Sequence, residues 1–63
     1  MYSKASKLIE EFKKEYEQIP IEMLRKAIQI QIGYDEKRVV IPYLKMMSDL
    51  GLIKINGQIV ELK

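Results

Sequence analysis

Asn56-Gly57 lies between two apolar runs, Leu52–Ile55 and Gln58–Leu62. An Asn-Gly pair in that setting is the strongest short-range hairpin signal, because both residues tolerate the positive φ that a tight two-residue turn asks for. With Asn56 and Gly57 as the turn, Ile55 is expected opposite Gln58 and Ile53 opposite Val60. Ile53, Ile55, Val60 and Leu62 then share the face towards the core, and Lys54, Ile59, Glu61 and Lys63 take the other. Gly51 stands just before the hairpin and ends the preceding helix at little conformational cost. The chain must therefore close with a helix stop that feeds a β-hairpin.

The helix before Gly51 is marked by Val40, Tyr43, Leu44, Met47 and Leu50, spaced to stack on one face. Asp35 is the expected N-cap, with Glu36 in the first turn complementing the helix dipole. Pro42 is out of place there. Inside a helix it removes a hydrogen bond and crowds the preceding turn, at a cost of about 3 kcal/mol. Two arrangements relieve it: a kink at Pro42, or a short turn over residues 36–40 before a helix that has Pro42 near its first turn. Tyr43 to Leu50 are helical in both.

Upstream, Ser3 to Gln18 reads as an amphipathic helix with Ala5, Leu8, Ile9, Phe12 and Tyr16 on one face. Its other face alternates charge through Glu10–Lys14, Lys7–Glu11 and Lys13–Glu17. That face is expected to be solvated. Its alternative use is a homodimer contact through the first helix, with Tyr2 extending the stripe. Pro20 forces Ile19 into extended backbone, so Ile19-Pro20-Ile21 is expected to lay a one- or two-residue strand beside the hairpin. Glu22 to about Gln31 resumes helical spacing, with Leu24, Ala27 and Ile28 inward and Arg25, Lys26 and Gln29 outward. The alternation Ile28-Gln29-Ile30-Gln31-Ile32 resembles a strand, but the preceding pattern runs into it and Gly33 supplies the stop.

Sixty-three residues make a single small α+β domain, residues 1–63, of a size at which one core is marginal by itself. The chain has no Cys and no His. It offers no disulfide, no thiolate nucleophile and no Cys/His metal cluster, and a reducing cytoplasm is the expected compartment. Its start does not read as a signal peptide, and no apolar run nears the roughly 20 residues of a membrane span. Neither the P-loop nor the dinucleotide glycine pattern is present. Glu10-Glu11 and Asp35-Glu36 read as solvated or capping charges, and the Tyr residues as packing, with Tyr34 at the turn expected to be exposed. We therefore expect no enzyme, no cofactor and no metal. The first helix carries four Lys against four Glu, which argues against a membrane surface. The net charge of +2 is spread along the chain and forms no basic stripe of the kind that marks most nucleic-acid binders.

Val40-Ile41-Pro42-Tyr43-Leu44-Lys45-Met46-Met47-Ser48-Asp49-Leu50-Gly51-Leu52-Ile53 resembles the recognition helix and exit of archaeal and bacterial winged-helix domains. In that family a β-branched residue, Tyr-Leu and then Leu-Gly-Leu-Ile precede the wing. Ile32-Gly33 resembles the turn before the helix, and Ile19-Pro20-Ile21 the short first strand. The resemblance implies a winged helix: three helices followed by a short two-stranded hairpin. It further implies binding to double-stranded DNA, with the third helix in the major groove and the wing along the backbone. Three features depart from the pattern. The stretch from Gly33 to Val40 is longer by about one residue, Pro42 takes a position that is commonly polar, and the wing tip carries no Arg or Lys.

With Leu44 inward, the outward face of the third helix carries Arg38, Ile41, Pro42, Lys45 and Asp49, flanked by Met46. A base-reading helix needs donors and acceptors there, and only Arg38 and Lys45 qualify, with Lys37 at the edge. Ile41, Pro42 and Met46 form an apolar centre with a charged rim, the composition of a modest protein interface. A competing arrangement has Pro42 tilting the helix and burying Ile41. We expect Arg38, Ile41, Pro42, Lys45 and Met46 to dock onto a larger protein of DNA replication or transcription, as winged-helix subunits of archaeal polymerase and transcription complexes do. The alternative is a DNA-binding regulator, dimeric, contacting phosphates through Arg25, Lys26, Lys37, Arg38 and Lys45.

Overall fold

A computed structural model describes residues 3–63. Tyr2, expected to extend the first apolar stripe, lies outside them. In chain order the elements are α1 (Ser3–Lys13), β1 (Gln18–Pro20), α2 (Ile21–Gln31), a π-helical turn (Glu36–Val40), α3 (Ile41–Asp49), β2 (Ile53–Asn56) and β3 (Ile59–Leu62). The strands form one antiparallel sheet in the order β1-β3-β2. The result is an α+β domain of winged-helix-like form, its sheet completed to three strands by a β1 of three residues.

α1 buries Ala5, Leu8 and Ile9 and half-buries Phe12, the i, i+3, i+4, i+7 set that one helix face allows. The helix is shorter than its charge pattern suggests. It stops at Lys13, where the N–H groups of Glu15 and Tyr16 both turn back to the Phe12 carbonyl, at 3.1 and 2.9 Å. A few residues on, Gln18 is claimed by β1 as the partner of Glu61. Tyr16 lies past the helix end and is partly exposed, its ring tilted against that of Phe12 with centroids 6.5 Å apart. On the charged face Lys14 pairs with Glu11 at 3.4 Å rather than with Glu10; both ends are solvated, so the pair contributes little.

α2 begins directly after Pro20, whose extended backbone (φ −62°, ψ 142°) serves as the N-cap position. It runs through the alternating tail to Gln31, burying Leu24 and Ile28. The stop at Gly33 works through space rather than through a left-handed backbone. A Cβ on Gly33 would sit 3.1 Å from Val39 Cγ2, so glycine lets the next turn pack closely.

Between α2 and α3 the chain takes the second of the two routes around Pro42. Asp35 caps the turn, its Oδ1 accepting the Arg38 N–H at 3.0 Å. The N–H groups of Val40 and Ile41 then reach five residues back, to Asp35 and Glu36. A π turn holds an extra residue and widens the helix. It opens the turn that a proline ring would crowd. Pro42 itself falls in the first turn of α3, where a missing N–H costs least. Replacing Pro42 with alanine should therefore cost only about 0.4–1 kcal/mol in urea unfolding, through greater freedom of the unfolded chain. A gain of about 3 kcal/mol would instead mark Pro42 as a strained interior residue.

The inward stripe runs from Val40 of the π turn to Leu44 and Met47 of α3, with Tyr43 half-buried. Leu50, expected on that stripe, is 51% exposed because it is the C-cap. After it the Gly51 N–H donates to the Ser48 carbonyl at 3.0 Å and the Leu52 N–H to the Met47 carbonyl at 2.9 Å, with Gly51 at φ +77°. This pair of bonds is the Schellman motif. It turns the chain so that Leu52, not Leu50, returns to the core.

The hairpin forms with a shifted register. Asn56 pairs with Ile59, Ile55 with Val60, Lys54 with Glu61 and Ile53 with Leu62, which leaves Gly57-Gln58 as the turn. Gly57 has φ +60° and, among the described residues, no non-glycine residue has positive φ, the pattern of a type II′ turn with glycine first. Asn56 thus remains in the strand. The shift displaces each partner by two residues, so every side chain keeps its expected face. β1 adds Ile19 opposite Val60, and Ile19, Val60 and Ile53 seal the core from below the helices. Ile55 shares that face but lies on the outer strand and stays partly exposed.

Candidate functional site

The outward face of α3 starts at the π turn. Because that turn is one residue wider, Arg38 projects just ahead of Ile41, and the α-helical repeat then lines up Ile41, Lys45 and Asp49. Ile41 is 52% exposed, and Pro42, Arg38, Lys45 and Asp49 are exposed beside it. The tilt that would have buried Ile41 is not adopted. Met46 is half-buried and packs against the core, so it borders the face rather than centring it.

The five candidate phosphate-binding cations divide into two groups. Arg25, on α2, is half-buried, bonds Glu22 at 2.9 Å and also pairs with Glu36 of the π turn. Its guanidinium ties α2 to the turn, which makes it part of the scaffold. Lys26, Lys37, Arg38 and Lys45 are exposed, and among the described residues none of them is in an ion pair. Of the nearby carboxylates, Asp35 is occupied in capping and Glu36 with Arg25.

At the other end of the sheet the wing is minimal. Its tip is Gly57-Gln58, and the Asn56 side-chain N–H donates to the Glu61 carboxylate. Lys54 is exposed on the outer sheet face, directly across from Glu61.

The two most exposed of the large apolar residues lie off the α3 face: Ile30 and Tyr34, each 73% exposed. Tyr34 sits in the turn, as its position implied. Ile30 carried a signal in the alternating Ile28–Ile32 run: once that run is helical, Ile28 and Ile32 share a face and Ile30 must point the other way.

No cavity is found among the described residues, and no group of three or more His, Cys, Asp or Glu side chains among them could hold a metal ion. No helix among them is long and apolar enough to cross a membrane. The outward face of α3 presents exposed Ile41 and Pro42 with Arg38 and Lys45 exposed beside them. No protein-family model, curated protein or solved structure matches the chain.

Proposed function

We propose that this chain is a non-enzymatic module of the archaeal winged-helix type that docks by the outward face of α3 onto a larger protein of DNA replication or transcription, in the cytoplasm. The observation that carries this reading is Ile41. It stands 52% exposed beside exposed Pro42, at the end of the helix where a DNA-reading helix would present donors. Arg38 and Lys45 form the charged rim that commonly surrounds such an apolar centre. The wing, with Gly57-Gln58 at its tip and Asn56 held by Glu61, brings no cation towards a phosphate backbone.

Ile41→Asp tests the reading cleanly, because an exposed side chain can be changed with little effect on folding, within about 0.5 kcal/mol. Met46→Asp would not, since Met46 packs on the core. In affinity capture against native extract, the wild-type chain should retain a protein that the folded Ile41→Asp variant loses. Equal retention by both would remove the basis of the proposal.

The second reading, a dimeric DNA-binding regulator, is favoured by one observation. Lys26, Lys37, Arg38 and Lys45 are all exposed, while Glu36, the neighbour of Lys37, is paired with Arg25. So small a set of phosphate contacts gives weak, salt-sensitive binding per monomer.

A further inference from the structure

Asn56 is the single asparagine of the chain, and glycine follows it. Three features of the hairpin bear on its chemistry. Gly57 has no side chain to shield its amide, and open space surrounds the position a Cβ would take. Among the described residues the Gly57 N–H has no backbone acceptor, so it is available for deprotonation. Against these, the shifted register keeps Asn56 as the last residue of β2, paired with Ile59, and its side-chain nitrogen donates to the Glu61 carboxylate.

We infer that Asn56 is a site of spontaneous covalent modification, released by fraying of the hairpin end and restrained by Glu61. The Gly57 amide nitrogen gives its proton to solvent base and attacks Asn56 Cγ. The Cγ–Nδ2 bond breaks and ammonia leaves with a proton, closing a five-membered imide. Water then opens the imide at either carbonyl, giving aspartate or isoaspartate at position 56. The balance is asparagine plus water to acid plus ammonia, with no redox partner.

In the intact strand, extended backbone carries the Gly57 nitrogen away from Cγ, and the bond to Glu61 holds the carboxamide across the sheet. Attack requires the Asn56–Ile59 pair to open. Ile59 and the turn are held by β1 and by the Ile21 N–H on the Gln58 carbonyl at 2.8 Å, so the opening is that of the end of the edge strand β2. Either product removes the donor facing Glu61 and sets two carboxylates against each other across the strands, which is destabilising. Isoaspartate also lengthens the backbone by a methylene at the turn, so Gly57-Gln58 no longer closes the register. The formal charge falls from +2 by one unit. Modification therefore loosens the strand that carries Val60 into the core.

The test is incubation of the full chain at physiological temperature in mildly alkaline buffer, followed by intact mass and by mapping of the Ile55–Lys63 tryptic peptide. The folded wild type should slowly gain one dalton at position 56, with isoaspartate in the product. Glu61→Gln and Glu61→Ala should gain it several-fold faster, chain unfolded in urea faster still, and Asn56→Ser not at all. No gain in the folded wild type while the unfolded chain reacts would overturn the inference. So would an equal gain in Asn56→Ser, or rates in both Glu61 variants no faster than wild type.

Discussion

Replacing Ile28 with alanine is expected to cost about 2–5 kcal/mol of folding free energy, the range for removing a large buried aliphatic side chain. Ile28 is fully buried where α2 meets the rest of the core. Its carbonyl also accepts the N–H groups of both Ile32 and Gly33, at 2.8 and 3.1 Å, so the end of α2 closes over the same residue. Neighbours in so small a core cannot collapse far into the space left behind. A domain of this length sits near the low end of the usual stability range of about 5–15 kcal/mol. The loss should therefore consume much of the total, lowering the urea midpoint with little change in slope. Ile30→Ala, two residues on, removes the same atoms from an exposed site and should change stability by less than about 0.5 kcal/mol. Similar losses at both positions would mean that α2 does not present the face described.

Gly51→Ala is expected to cost about 1–2 kcal/mol, the penalty of placing a Cβ in left-handed backbone. Gly51 has φ +77°, and nothing lies within 4 Å of where its Cβ would stand. The cost is therefore conformational rather than steric. It falls on the Schellman motif that ends α3 and aims Leu52 and Ile53 into the core. Thermal or urea unfolding of Gly51→Ala measures it directly. A loss near zero would show that the end of α3 relaxes to another geometry without consequence.

The parts of the fold legible in the sequence are those that local chemistry dictates. Asp35 caps, Gly51 stops and turns, Pro20 enforces extended backbone before it, and the apolar spacings of α1 and α2 choose the buried faces. The parts that were not legible depend on competition between elements. α1 ends at Lys13 because β1 needs Gln18 as a partner for Glu61, a demand set by strands far along the chain. The hairpin turn moves from Asn56-Gly57 to Gly57-Gln58, which pairs Ile53 with Leu62. A two-residue displacement leaves the faces unchanged, so hydrophobic patterning alone had no means of choosing between the two registers. Leu50 fitted the periodicity of α3 but fell on its C-cap, where the helix path is already leaving the core.

The candidate site was partly visible in the same way. Arg38, Ile41, Pro42 and Lys45 follow from helical spacing once Leu44 is placed inward, and the structure exposes all four. The partial burial of Met46 and the engagement of Arg25 with Glu36 were not visible, since each depends on how α2, the π turn and α3 approach one another. That approach is governed by Gly33 meeting Val39 and by the extra residue of the π turn, neither of which has a periodic signature.

Whether the face of α3 meets protein or DNA is decided most directly by fluorescence anisotropy of a labelled random-sequence duplex titrated with the chain at low and near-physiological salt. The docking account predicts negligible binding near physiological salt and at most weak binding at low salt. Tight, salt-sensitive binding that is lost on replacing Arg38 and Lys45 with alanine would contradict it and establish the DNA-binding reading instead.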